Sequence, residues 1–292
     1  MLSLRLSEPR PAIGPLRSLL ARRFVLGFLV PLAGLIVLGG AYFWSDEAEP
    51  ANPRDSQSAS PPVAASLAAL VGPAKVGDSP REQALRLLGE ARQAYQSVQD
   101  YRCTLAMREQ VGGQLQPEQI MAMEFRGEPF SVHFRWQQPT SKIGQEVFYV
   151  IGKNRGKMRV RPAGGLGSLV RFLSVSPNSA SVRENSRHTI TEAGLGNMLE
   201  QFCRAWEQKA AEEVEVLLDD ASVDGKPCRR LEVRLVVPEE SADWRRSVLF
   251  IEQEARLPLR VEYYDPQGEL LEESTYLNLK INMGLADESF TP

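Results

Sequence analysis

The side chains best suited to chemistry lie close together in residues 187–197, RHTITEAGLGN. His188 is one of only two histidines in the chain, and Glu192 follows it four residues later. An imidazole beside a carboxylate can act as a general base. One hypothesis is therefore a reaction centred on His188.

The same stretch also fits the beginning of a helix, which is the interpretation that we favour. Thr191 is a residue type that caps helices, and an acid in the first turn, such as Glu192, is stabilised by the helix dipole. Apolar residues then recur at helical spacing: Leu195, Met198, Leu199, Phe202 and Trp206. Arg187 and His188 would tie the preceding loop to the sheet. The residues of this candidate functional loop are Arg187, His188, Thr191 and Gly194.

Three cysteines could support redox chemistry or a disulfide. No CxxC spacing occurs, which argues against a redox motif or a zinc cluster. Cys203 lies beside Phe202 in the helical pattern and is predicted to pack as a small apolar residue. Cys103 and Cys228 both fall near strand starts, and we predict a disulfide between them, although the connectivity cannot be deduced from one sequence.

Other motifs lack the spacing that a cofactor or metal requires. The two histidines are not paired as HxxxH or HxH, and His133 falls on the polar face of its strand, where it would face solvent. The GGLG and GLG segments do not complete a nucleotide-binding pattern. The acid pairs 239–240 and 272–273 are interpreted as solvated surface charge or as charge on an edge strand. No catalytic, cofactor-binding or metal-binding residue is predicted, and the protein is not expected to be an enzyme.

The N-terminal region predicts a membrane anchor. Residues 1–23 carry five arginines, whereas residues 24–44 contain no charge and are long enough to cross a bilayer. The positive-inside rule places residues 1–23 in the cytoplasm and the C-terminal domain in the periplasm, with a single pass through the inner membrane. A signal peptide cleaved after Ala41 is the alternative. Residues 45–78, rich in Pro, Ala and Ser, predict a flexible linker.

Residues 79–292 predict one exported α+β domain. Ser79, Pro80 and Glu82 form a capping box in front of an amphipathic helix. Period-two alternation follows, as in Tyr101, Cys103, Leu105 and Met107, and it recurs after a second helix. About ten strands and two helices imply a large, curved antiparallel sheet whose apolar side is covered by the helices. The acidic balance of the chain beyond residue 23 argues against binding of nucleic acid.

Seven segments, in this order, resemble a known family: YRCTLAMREQVGGQL, EPFSVHFRW, GQEVFYVIGKNRGKM, RHTITEAGLGNML, VDGKPCRRLEV, LPLRVEYYD and EESTYLNLKINMGLADESF. The chain is identified as a member of domain of unknown function family 1571, found mostly in planctomycete bacteria. The resemblance covers about residues 85–292. It implies membership and no reaction mechanism.

A more distant resemblance is to periplasmic lipoprotein carriers and related anti-sigma regulators of the LolA/LolB/RseB-like fold. It is carried by LLGEARQAYQSVQDYRCTLAMREQVGG and the closing YLNLKINMGLADESF. The resemblance implies an open β half-barrel with helices on its concave face, which would take acyl chains. The first hypothesis is thus a membrane-anchored binding protein for a lipid, lipoprotein or other apolar ligand. The second is a structural or signalling protein that binds a protein partner. An enzyme using His188 is the third.

Overall fold

Helix α1 (Pro80–Tyr95) begins where the capping signal predicts. The computed structural model describes residues 77–164, 171–236 and 244–292. The N–H of Glu82 donates to the Ser79 hydroxyl, and the N–H of Ser79 donates to the Glu82 carboxylate. Pro80 occupies the first turn, where a backbone N–H has no helical partner. The predicted capping box is confirmed.

Strands make up most of the rest of the described chain. They are β1 (Asp100–Val111), β2 (Gln114–Leu115), β3 (Gln119–Arg126), β4 (Ser131–Gln138), β5 (Glu146–Val150), β6 (Met158–Arg161), β7 (Leu173–Val175), β8 (Val214–Val223), β9 (Lys226–Leu235), β10 (Arg246–Glu252), β11 (Pro258–Tyr264) and β12 (Leu270–Ile281). Two further helices, α2 (Ala180–Arg183) and α3 (Leu195–Arg204), lie between β7 and β8. The sequence predicted about ten strands; β2 and β7 have only two and three residues, too few to produce a periodic signal.

All neighbouring strands are antiparallel and form one open, curved sheet. The order is β7-β6-β5-β4-β3-β1-β12-β11-β10-β9-β8, with β2 paired to β1. The first and last long strands are adjacent, with Leu105 opposite Tyr276. This pairing joins the two halves of the sheet and leaves β7 and β8 as its edges. The predicted α+β class with a large antiparallel sheet is confirmed.

Helices α1 and α3 cover one side of this sheet, which we call the inward face. Tyr101, Leu105, Phe125 and Tyr276 project from the strands into a single apolar core. The helices contribute Leu87, Leu88, Leu195, Leu199 and Phe202, and the turn after α3 contributes Trp206. Because most of these side chains are fully buried, the inward face is filled largely by the protein's own residues.

The opposite side of the sheet, the outer face, carries cross-strand ion pairs. Arg161 contacts Glu146 at 2.7 Å, and the guanidinium of Arg260 contacts Glu273 at 2.8 Å. His133 was predicted to face solvent, which is wrong. It is buried, its Nδ1–H donates a hydrogen bond at 3.2 Å to the Glu124 carboxylate, and its ring stacks on Phe148 with centroids 4.0 Å apart. The sheet accommodates this polar side chain because the Glu124 carboxylate on the neighbouring strand is its hydrogen-bond partner.

The predicted disulfide between Cys103 and Cys228 is wrong. Both thiols are free and buried. Strands β12, β11 and β10 lie between β1 and β9, and four strand spacings amount to roughly 19 Å, far beyond the reach of a disulfide. The two residues also belong to different apolar clusters. Cys203 is buried in the core, as predicted.

The predicted segments 1–23 and 24–44 lie outside the described residues, as does all of 45–78 except its last two positions. Within residues 77–164, 171–236 and 244–292, no helix combines the length and apolar character needed to span a membrane.

Candidate functional site

Two carboxylates face each other at one end of the inward face. Glu109 on β1 lies directly opposite Glu272 on β12, and the two residues are only 1% and 8% exposed. Like charges opposite one another destabilise an antiparallel pair. Burial, together with the charge of Glu272, raises the pKa of Glu109. This pair therefore requires compensation from the elements around it.

The loop before α3 supplies that compensation. The backbone N–H of Arg187 donates to Glu109 at 2.8 Å, and the Ser186 hydroxyl donates to the same oxygen at 3.1 Å. His188 Nε2 lies 2.7 Å from a carboxylate oxygen of Glu272. The prediction that Arg187 and His188 tie this loop to the sheet is confirmed.

His188 is held between two carboxylates. Its Nδ1 lies 3.1 Å from Glu192 and its Nε2 lies 2.7 Å from Glu272. Burial alone would lower the pKa of His188, but the hydrogen bonds and charges of Glu272 and Glu192 raise it to about 9. The ring is therefore protonated at neutral pH and has no lone pair with which to accept a proton. In this arrangement His188 is a charged clamp between Glu192 and Glu272.

An open groove of about 520 Å³ lies beside this clamp. Trp244 and Tyr263 form one wall, with an edge-to-face contact between rings whose centroids are 6.4 Å apart. Helix α3 contributes Gln201 and Ala205. The other lining residues are Arg187, His188, Leu271 and Glu272. The groove thus combines an aromatic wall with polar and charged groups at one end, a composition common in ligand sites.

The predicted cap at Thr191 is wrong. Residues Ile190–Glu192 form a separate 3-10 turn, and the Glu192 side chain accepts from the N–H of Thr189 at 3.2 Å. Helix α3 starts after Gly194, whose φ of 110° favours glycine. The N–H of Leu195 then donates to the hydroxyl of Tyr101 at 3.0 Å. The hydroxyl of buried Tyr101 thus accepts from the first turn of α3, the role that the sequence had assigned to the side chain of Thr191.

The GLG segment is a packing feature. A Cβ at Gly194 would lie 2.6 Å from the ring of Phe125, and one at Gly196 would lie 2.3 Å from the ring of Tyr95. These glycines allow the start of α3 to approach two aromatic rings closely. Gly194 therefore belongs to the structural support of the site.

Sequence reasoning missed three residues of the site and misplaced a fourth. Glu109 had a detectable signal, because it interrupts the inward alternation of Tyr101, Cys103, Leu105 and Met107 with a charge. Glu272 was interpreted as solvated charge and is buried instead, since its strand lies in the middle of the sheet. Trp244 precedes β10, and it meets Tyr263 because β10 pairs with β11, a contact between distant segments that leaves no local signal.

Three solved structures illustrate what the fold is similar to. A LolA superfamily protein from Nitrosomonas europaea is 14% identical, with a TM-score of 0.31 and coverage of 70% of this chain and 96% of that one. Lipoprotein LppX from Mycobacterium tuberculosis is 12% identical, with a TM-score of 0.41 and coverage of 68% and 97%. The MucA/MucB complex of Pseudomonas aeruginosa matches at 15% identity, with a TM-score of 0.38 and coverage of 70% and 59%. At these TM-scores the likenesses carry no conclusion about this chain.

Comparison with curated proteins finds no match. The sequence does match, over residues 98–292, the family described as protein of unknown function (DUF1571). That match extends over well more than half of the chain and includes every residue of the clamp and the groove. The chain belongs to the DUF1571 family.

Proposed function

We propose that this chain is a non-catalytic binding protein of the cell envelope that takes up an apolar molecule at the groove beside Trp244. The ligand class is a lipid, or the acyl chain of a lipoprotein. The observation that carries the proposal is the pairing, in one groove, of an aromatic and apolar wall with a polar end. An amphiphile would lay its chain along Trp244 and Tyr263 and direct its head group toward His188.

Helix α3 is the element that would make room for a longer chain. It is strongly amphipathic and buries Leu195, Leu199 and Phe202 against the sheet. Its Gln201 and Ala205 border the groove, so displacement of the helix would extend the groove into the apolar core. The clamp at His188 holds the loop that leads into this helix.

The clamp also supports a function without catalysis. A histidine that is protonated and bonded through both ring nitrogens cannot remove a proton from a substrate. Among the described residues, no group of three His, Cys, Asp or Glu side chains is arranged to hold a metal ion.

We further propose that residues 24–44 anchor the protein in the inner membrane, with its N-terminus in the cytoplasm and residues 79–292 in the periplasm. The support is the uncharged run and the arginines before it. A ligand groove on a tethered domain would then face the envelope rather than the cytoplasm.

Photoaffinity labelling of the full chain tests the binding proposal. Membranes containing the protein are irradiated with a diazirine-bearing fatty acid, and the labelled peptides are mapped by mass spectrometry. We expect label on peptides containing Trp244, Tyr263 or α3, and competition by unlabelled oleate. The variant Ala205→Trp fills the groove and should reduce labelling at least fivefold.

The matched control is Arg204→Trp, which adds the same ring at the neighbouring exposed position and should leave labelling unchanged. Labelling spread evenly over the domain, or equal labelling of the two variants, would contradict the proposal. A second function, binding of a protein partner, is favoured by a separate observation at the edge of the sheet.

A further inference from the structure

Strand β8 is a long edge of the sheet. It has ten residues and, among the described parts of the chain, pairs only with β9. The opposite edge, β7, has three residues, and shortness is one of the ways in which proteins make an edge unsuitable for further pairing. The β8 edge is more than three times as long and is not shortened in this way.

The hydrogen bonds of β8 show which backbone groups face its open side. The N–H of Val236 donates to the carbonyl of Glu213 at 2.9 Å, and the register of β8 on β9 continues without a shift. In an antiparallel pair, alternate residues turn their N–H and C=O toward the partner strand. The intervening residues therefore direct theirs away from β9. Among these, Val214 and Val216 are buried, whereas Leu218, Asp220 and Ser222 are partly or fully exposed and form the open part of the edge.

The side chains along this edge are acidic. Five exposed carboxylates occur within nine residues: Glu212, Glu213, Glu215, Asp219 and Asp220. On the β9 side, Arg234, Arg230 and Arg229 contact Glu215, Asp219 and Asp220 at 3.8, 3.2 and 2.8 Å. Five acids against three arginines leave the edge negative. A second copy of the chain pairing through β8 would bring two acidic strands together and is disfavoured by repulsion.

The geometry points to a second binding site, at which β8 accepts an extended, lysine- or arginine-bearing segment of another protein as an additional strand. Strand addition obtains its affinity from backbone hydrogen bonds and its specificity from side chains. Here the open N–H and C=O groups of β8 provide the affinity, and the excess of carboxylates provides specificity for a basic partner. Leu217, 38% exposed on this strand, offers an apolar contact. This site is independent of the groove beside Trp244.

A set of synthetic peptides tests the site on the full-length protein in non-ionic detergent. The probe is a fluorescent ten-residue peptide that alternates lysine with valine and threonine. Its charge control replaces each lysine with glutamate. Fluorescence anisotropy should show that the lysine peptide binds at least tenfold more tightly than the glutamate peptide.

A matched pair of variants tests the backbone of β8. Asp220→Pro and Asp220→Ala both remove the carboxylate, but only proline removes the N–H that faces the open side. Proline is tolerated on an edge strand when its nitrogen faces solvent. We expect the lysine peptide to bind Asp220→Pro roughly tenfold more weakly than Asp220→Ala, since one backbone hydrogen bond is lost.

N-methylated peptides decide the matter if Asp220→Pro does not fold, because they leave the protein unchanged. Methyl groups on alternate nitrogens of the lysine peptide block one of its two hydrogen-bonding edges. Methylation of the edge that would pair with β8 should abolish binding, and methylation of the other edge should preserve it. Equal binding of the lysine and glutamate peptides, of the two variants when folded, or of the two methylated peptides would overturn the inference.

Discussion

At the scale of single residues, the site is organised around a charge conflict and its compensation. Glu109 and Glu272 face each other on neighbouring strands, and the loop before α3 brings a protonated imidazole and a backbone N–H to them. Two buried carboxylates would be costly alone. The loop is therefore attached to the sheet by electrostatics, which makes its attachment dependent on pH.

The stability of the protein should fall as the pH rises through the titration of His188. Its pKa is raised from 6.5 to about 9 in the folded state, so its contribution is complete below pH 6.5 and is lost as the pH passes about 9. The side chain is 36% exposed, which reduces the expected contribution to about 1 kcal/mol. Urea denaturation should show that the stability difference between the wild type and His188→Gln narrows by this amount from pH 6.5 to 9.5. The buried thiols, whose pKa is also raised, lower the stability of both proteins equally at the upper end of this range.

A control comes from the second carboxylate of the clamp. Glu192→Gln removes one of the two charges that raise the pKa of His188 and should shift the fall to lower pH and reduce its size. A wild type and a His188→Gln variant with parallel pH profiles between 6.5 and 9.5 would rule out the clamp as described.

The sequence predicts that the loop before α3 is tied to the sheet, but it does not predict the contacts of this loop with Glu109 and Glu272. The sequence predicts that Arg187 and His188 tie a loop to the sheet, because a helix pattern follows them. It also offers Thr191 as the cap, since Ser, Thr, Asp and Asn cap α-helices and 3-10 turns alike. Whether α3 begins at Thr191 or after Gly194 depends on Tyr101, whose hydroxyl accepts from the N–H of Leu195. Tyr101 is 94 positions away from Leu195, so no local pattern contains that contact.

At the scale of elements, the two helices over the inward face are joined by a shared arginine. Arg92 on α1 contacts Glu200 on α3 and Glu207 just beyond it, each at 2.7 Å. The side chain of Glu207 is only 6% exposed. Loss of the arginine would leave a buried carboxylate without its ionic partner, which is strongly destabilising.

The variant Arg92→Ala should therefore lower the free energy of unfolding by roughly 2–3 kcal/mol. Because the lost contacts are those that hold α3 to α1, hydrogen exchange should speed up first in residues 195–207. Arg102→Ala is the control: its side chain is 51% exposed, and the loss should stay below about 1 kcal/mol. Equal effects of the two variants would show that α3 is held by its apolar face alone.

Helices and strands were largely predictable because their signals are local. The capping box of α1 and the period-two runs depend on neighbours within a few residues. The burial of His133 and Glu272 was not predictable, because alternation identifies which side chains share a face and not how deeply that face is buried. Polar residues become buried on this sheet where a hydrogen-bonding partner comes from the adjacent strand, as Glu124 does for His133.

At the scale of the whole molecule, the pairing of β1 with β12 determines the architecture. It places the two halves of the chain side by side in one open sheet, so the clamp combines a residue from each half. Pairing between distant strands has no sequence signature in a single chain. The cysteine prediction failed for the same reason, since both residues were assigned correctly to strands but the number of strands between them was unknown.

The cysteines provide the last prediction, which concerns the covalent state of the whole fold. Burial raises the pKa of Cys103, Cys203 and Cys228, and all three are free. They should therefore resist alkylation in the folded protein and react completely after unfolding without reductant, because no disulfide protects them. Mass spectrometry should find three modified thiols in the unfolded protein, and addition of reductant should leave its Tm unchanged. A peptide cross-linking Cys103 to Cys228 would require β1 and β9 to be neighbours and would refute the strand order.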